Sequence, residues 1–168
     1  DHMPKIIERV GVDLNPVDPR DPLERRWIEG LMPPDMYDDR RVLKQALDAR
    51  ARIPLSTIQG DALLKVPEIL PSMSGTICLL HSFCLYQWPA ALQNDFHDML
   101  REQSRGRVIH RLSVDLIHDN PARPDAGPRA VEEELVMDMT AVTYRNGEAE
   151  WELLGRCDTW GRRAEWLV

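Results

Sequence analysis

The sequence predicts an α/β fold whose sheet is mostly parallel and closes with an antiparallel hairpin. Three observations carry that expectation. Apolar strands alternate with helical patterns over most of the chain, the order that builds parallel sheets. Arg145-Asn146-Gly147-Glu148 joins two alternating stretches and is a strong hairpin signal. Three successive strands end on polar groups, at Asp13, at Gly60-Asp61-Ala62 and at His81-Ser82, and ligands of open α/β sheets bind at the carboxyl ends of strands.

Residues 6–13 read as the first strand, apolar at Ile6, Ile7, Val10 and Val12, and broken after Asp13 by Asn15-Pro16. Asp21-Pro22-Leu23-Glu24 opens a helix, with Asp21 as N-cap, Pro22 at the first helical position and Glu24 completing a capping box. Leu23, Trp27 and Leu31 share one face of it, and Pro33-Pro34 stops it. A second helix is expected from Asp39 to Arg52, striped by Val42, Ala46, Ala49 and Ile53. The strand 55–59 follows, then the Gly60-Asp61-Ala62 turn. A short helix then has its core at Val66 to Leu70, with Pro67 in its first turn.

Gly75 precedes a buried-looking strand over 76–80. Pro89 starts a helix to Gln103 that carries Leu92, Phe96, Met99 and Leu100. Residues 107–114 read as a strand, and 115–129, rich in Pro, Asp and Gly, as a loop. Leu135–Tyr144 and Ala149–Cys157 form the hairpin, and a last short strand ends at Trp166-Leu167. No internal repeat is visible.

With 168 residues, 43% of them hydrophobic, the chain has enough for one domain with a real core, expected over residues 4–168. Asp1-His2-Met3 has the look of a vector-derived remnant. A net charge of −7 argues against sequence-independent nucleic-acid binding, which depends on neutralising phosphates with Lys and Arg. The local cluster Arg101, Arg105, Arg107 and Arg111 reads as a cationic helix end and solvated face. The longest apolar run, Thr76 to Tyr86, is too short to span a bilayer. No secretory signal opens the chain. Three cysteines, Cys78, Cys84 and Cys157, lack C-x-x-C spacing, which favours reduced thiols in a cytoplasmic protein.

The order of elements resembles the class I S-adenosylmethionine-dependent methyltransferase fold, Rossmann-like, entered at its second strand. Gly11-Val12-Asp13 matches the strand whose terminal acid binds the ribose hydroxyls. Gly60-Asp61-Ala62 matches the turn that contacts adenine, and His81-Ser82-Phe83 occupies the place facing the methyl group and substrate. The chain is similar, more closely, to the C-terminal half of a bacterial domain-of-unknown-function family, DUF2332. The matching stretches are the run from Val10 to Asp18, Gly60-Asp61-Ala62, His81-Ser82-Phe83, and Gly161 to Trp166-Leu167. Trp160 stands where relatives commonly place a histidine. The resemblance implies a fold and a pocket location, but no substrate. It also implies that the first strand and its glycine loop are absent from these 168 residues.

On that resemblance the cofactor is S-adenosylmethionine or a related adenosine ligand, held by Asp13, Asn15, Gly60, Asp61 and Ala62. His81 and Ser82 would be catalytic and face a small-molecule substrate. Each residue also has an ordinary reading. Asp13 can complete an Asx turn, and Asp61 can cap a helix. His81 can be a hydrogen-bonded core histidine as readily as a general base. Ser82 lacks a G-x-S-x-G elbow, so a hydrolase is the weakest reading. Cys84 is read as a small core residue, and the five tryptophans as core or interface anchors. His110 and His118 lack the spacing of metal ligands with His81, and no metal is expected.

Without a glycine loop the chain is expected to bind adenosylmethionine weakly or not at all. The rival to a methyltransferase is a catalytically silent Rossmann-like domain used for assembly or regulation. Asp13, Gly60, Asp61 and His81 are expected at one sheet edge. Loss of the central first strand exposes backbone that recruits new pairing. Strand 6–13 can pair with 76–80, a second molecule can lend a strand, or the sheet can split. A rearranged or intermolecularly completed sheet, and hence self-association, is the favoured outcome.

Overall fold

A computed structural model of the chain describes residues 5–53, 55–116 and 137–167. Contacts divide it into two compact units, residues 1–68 and 69–168. In the first, β1 (Val10–Asp13), α1 (Pro22–Gly30), α2 (Tyr37–Arg52), β2 (Ser56–Gln59) and most of α3 (Ala62–Ile69) follow in order. β1 and β2 pair in parallel, Val10 opposite Ser56 and Asp13 opposite Gln59.

Local chemistry explains most of these boundaries. Asp21 caps α1, its Oδ1 accepting from the backbone N–H of Leu23 at 2.7 Å. The expected capping box is not made: Glu24 reaches back past Asp21 and accepts from the Asp18 N–H instead, while the Asp21 N–H donates to the Asp18 carbonyl. β1 is shorter than expected, because Ile6 and Ile7 lie outside the ladder and stay exposed. The predicted apolar stripes also differ from the buried faces. Leu23, Trp27 and Leu31 are exposed, as are Val42 and Ile53, and α2 buries Leu47. Pro67 lies inside α3, not in its first turn. The helix loses the bond that an N–H there would give the Leu63 carbonyl, yet keeps its eight residues.

The second unit holds β3 (Ile77–Ser82), α4 (Ala90–Gln103), β4 (Val108–Leu116), β5 (Met137–Arg145), β6 (Glu148–Cys157) and β7 (Ala164–Trp166). They form one sheet in the order β3-β4-β5-β6-β7. Only β3 and β4 are parallel; every other neighbouring pair is antiparallel. The expectation of a mostly parallel sheet is therefore corrected: the fold is α/β with a mixed, largely antiparallel sheet. The reason is local. Asn146 and Gly147, at φ 52° and 86°, make the two-residue turn whose twist matches a hairpin. Asp158 folds the β6–β7 connection by accepting from the N–H groups of Trp160 and Arg162. Of the expected loop 115–129, Asp115 and Leu116 belong to β4, and the rest lies outside the described residues.

The strands form two sheets, β1-β2 and the five-stranded one, so 6–13 does not pair with 76–80. In the second unit the core is Ile77, Leu85, Phe96, Leu100, Ile109, Met137, Val142 and Tyr144. Leu92, predicted to share the apolar face of α4, is exposed, while Gln93 and His97 are buried.

The β5–β6 register shifts at Met139/Thr140, and beside that shift the backbone of Gly155 lies close to its neighbours. A Cβ there would meet the Glu165 carbonyl oxygen and lie 2.8 Å from the Met139 methyl carbon. Because backbone cannot yield as a flexible side chain can, Gly155→Ala is expected to destabilise the second unit by about 1–3 kcal/mol. A lower urea midpoint with an unchanged slope reads it.

Candidate functional site

Two groups of polar residues stand out, one in each unit. In the first unit the parallel register sets the carboxyl ends of β1 and β2 abreast. The Gly60 N–H donates to the Asp13 carbonyl at 2.9 Å, which draws Asp13, Asn15, Gly60, Asp61 and Ala62 into one surface. Gly60 sits at φ +153°, where a Cβ would come 2.8 Å from Lys65 Cγ, so this close turn requires glycine. Asp13 Oδ1 accepts from the Asn15 N–H at 2.8 Å, and Asp61 Oδ1 accepts from the Leu63 N–H at 2.8 Å at the start of α3. Both aspartates thus fill the local turn and cap roles, and both remain exposed. Among the described residues nothing donates to Asp13 Oδ2.

In the second unit β3 runs through His81 and Ser82 and does not stop before them. Side chains alternate across a strand, so the two lie on opposite faces. His81 turns inward, edge-on to Phe96 with ring centroids 6.5 Å apart, and Ser82 turns outward and is exposed. They make no nucleophile–base pair. His110 also faces away from His81 and meets Thr143 Oγ1 at 3.0 Å; His118 lies outside the described residues. Cys78 is exposed, Cys84 half-buried and Cys157 buried. Trp27, Trp160 and Trp166 are exposed, while Trp88 packs edge-on to Phe96.

The inward face at His81 carries a polar set that the sequence did not announce. β4 buries Arg111, Ser113 and Asp115, and β5 buries Asp138, Thr140 and Tyr144. His81 stands beside Ser113 across the parallel ladder, and its Nδ1 is 3.4 Å from Asp115 Oδ2. Ser113 Oγ and Thr140 Oγ1 are hydrogen-bonded at 2.6 Å, and Arg156 Nε lies 3.4 Å from Asp138 Oδ1. His97, from α4, bridges two members: Nδ1 to the Tyr144 hydroxyl at 2.6 Å and Nε2 to Arg111 Nη1 at 3.5 Å.

These contacts fix the chemistry of the rings. A guanidinium only donates, so the nitrogen of His97 facing it, Nε2, carries the lone pair and Nδ1 carries the proton. Burial, then Arg111, pushes the His97 pKa down to about 4. Burial, then Arg111 and His97, pushes that of His81 down to about 3. At neutral pH His81 is therefore a neutral ring beside Asp115, and not the cation of an ion pair. Burial also raises the Tyr144 pKa and lowers that of Arg111, which as a guanidinium stays cationic.

Arg111 corrects an expectation. Arg101 and Arg105 are solvated and pair with Asp98 and Glu102, but Arg111 is only 1% exposed. Arg107 donates to the Leu70 carbonyl. The available signal was the run Arg111-Leu112-Ser113-Val114-Asp115, whose period of two puts three polar side chains on one face.

Two neutral histidines, His97 buried and His81 largely so, make stability depend on pH. Above about 6.5 both rings are neutral folded and unfolded, and their contribution is complete. As pH falls from there towards 4 and then 3, only the unfolded chain takes up their protons, so stability is lost. The urea midpoint is expected to fall steadily between pH 7 and pH 4. His97→Gln should make that decline shallower; an unchanged slope would remove His97 as a cause.

A comparison with curated proteins finds no match, and neither does one with solved structures. No described helix is long and apolar enough to cross a membrane. The profile of one family, described as an uncharacterised protein conserved in bacteria, matches residues 1–166. The chain belongs to that family, DUF2332.

Proposed function

We propose that the chain supplies the nucleoside-binding strand ends of a Rossmann-like, methyltransferase-type domain, with S-adenosylmethionine or a related adenosine ligand as the cofactor. The observation that carries this reading is the pair of parallel strands, β1 and β2, whose carboxyl ends lie abreast and offer Asp13 and Gly60-Asp61-Ala62 on one surface. Asp13 Oδ2 would accept from a ribose hydroxyl, with Asn15 beside it. Asp61 and Ala62 would flank the adenine. A carboxylate at a strand end can take both ribose hydroxyls of a nucleoside. His81, neutral and largely shielded from solvent, is suited to orienting a group rather than to acting as a base at neutral pH.

One observation favours a second reading, a catalytically silent domain used for assembly or regulation. The Oδ1 atoms of Asp13 and Asp61 are each engaged by a local N–H, which is all that a turn and a cap require.

Amide NMR titrations with adenosine, adenosylmethionine and adenosylhomocysteine separate the two. The nucleoside reading expects shifts confined to residues near 11–15 and 58–64, with a dissociation constant in the millimolar range, about −4 kcal/mol. Asp13→Asn should abolish them. Shifts elsewhere, or none at about ten times that constant, would leave the silent reading. Self-association belongs to either one. β1 and β3 each keep one edge without a strand partner among the described residues, and such edges recruit pairing. Light scattering is expected to give a molar mass above that of the monomer.

A further inference from the structure

We propose that Arg111 forms an anion site inside the second unit, in which the side-on fork of its guanidinium, Nε and Nη2, receives two oxygens of a carboxylate or phosphate carried by a small ligand. The site is built from residues of the second unit alone and does not depend on the nucleoside reading.

Arg111 is 1% exposed, so its nitrogens have little water to bond. Nη1 faces His97. Nε and Nη2 are buried and have no hydrogen-bond partner among the described residues. Those two N–H groups point the same way, and together they match the two oxygens of a carboxylate or phosphate. The chain uses this fork elsewhere. Arg20 holds Asp18 through Nε and Nη2, each bond 2.9 Å, and Arg25 divides the same two atoms between Glu29 and Asp48. Among the described residues, the two buried carboxyl groups of the unit face other partners: Asp115 lies at His81 and Asp138 at Arg156. A buried guanidinium with two undonated N–H groups is expensive, and a planar anion meets both at once.

The surroundings suit such a ligand. His97 and His81 are neutral rings and do not compete as cations. The Tyr144 hydroxyl accepts from His97 Nδ1, which leaves its own proton to donate. His81 keeps 11% of its side-chain surface in contact with solvent. Among the described residues no group of three His, Cys, Asp or Glu side chains is assembled for an ion.

The test uses the 168-residue protein in chloride, acetate and phosphate at matched ionic strength. Either acetate or phosphate, or both, is expected to raise the melting temperature saturably, by about 2–4 °C over chloride, and the ion that does so identifies the ligand's anionic group. In Arg111→Lys, which keeps the charge but loses the fork, the saturable rise should disappear. Should that variant fail to fold, the wild-type protein decides: the Arg111 Nε–H resonance should shift with the same saturation curve. Equal melting temperatures in all three salts together with an unmoved Nε–H resonance would overturn the proposal. So would a saturable rise that persists in folded Arg111→Lys.

Discussion

A cation buried beneath a helix dictates what its neighbours can be. With Arg111 inside, each ring and hydroxyl on that face of the sheet has to be neutral, anionic or an acceptor towards it. His97 therefore presents a lone pair at Nε2 and sends its proton to Tyr144. His81 stays uncharged beside Asp115. The same condition explains why α4 buries His97 alongside Phe96 and Leu100. Gln93 donates to the Trp88 carbonyl at 2.8 Å, tying the start of the helix to the segment that follows β3. His97, held between Arg111 and Tyr144, ties α4 to the polar face of the sheet beside the apolar contacts of Phe96 and Leu100.

What the sequence made legible was what local chemistry decides. The Asp21 cap and Pro22 mark the start of α1 because the first turn needs an acceptor and tolerates a missing N–H. Asn146-Gly147 marks the hairpin because both residues adopt positive φ. Periodicity was less informative about direction. Along β4 it separates Arg111, Ser113 and Asp115 from Leu112, Val114 and Leu116, yet it cannot say which set α4 will cover. The ordinary rule points the polar set outward, and here it is the buried one. Strand partnership was illegible for another reason. Alternating strands and helices resemble a continuous parallel sheet, but pairing is a long-range choice that no short stretch encodes. β4 takes a parallel partner on one side and an antiparallel one on the other.

The candidate site was legible in the same uneven way. Asp13, Gly60 and Asp61 were visible because polar residues at the ends of apolar strands stand out against their context, and the β1–β2 ladder does bring them together. His81 was visible for the same reason, but its companions were not. His97 lies on a helix whose apolar spacing drew attention to Leu92, and Tyr144 sits next to a turn, where an aromatic residue attracts no notice.

The Asn146-Gly147 turn also bears on the order in which the second unit forms. It brings Arg145 and Glu148 into register across two residues, so joining β5 to β6 costs little loop entropy, and hairpins of this kind form in about 1–10 μs. Parallel pairing of β3 with β4 requires the whole of α4 to be spanned first, a closure whose entropic cost is met only afterwards by contacts. Conformational search should therefore begin at the antiparallel end of the sheet, with the polar face under α4 assembled last. A protein built in that order completes its most exacting electrostatic arrangement on a scaffold that is already rigid.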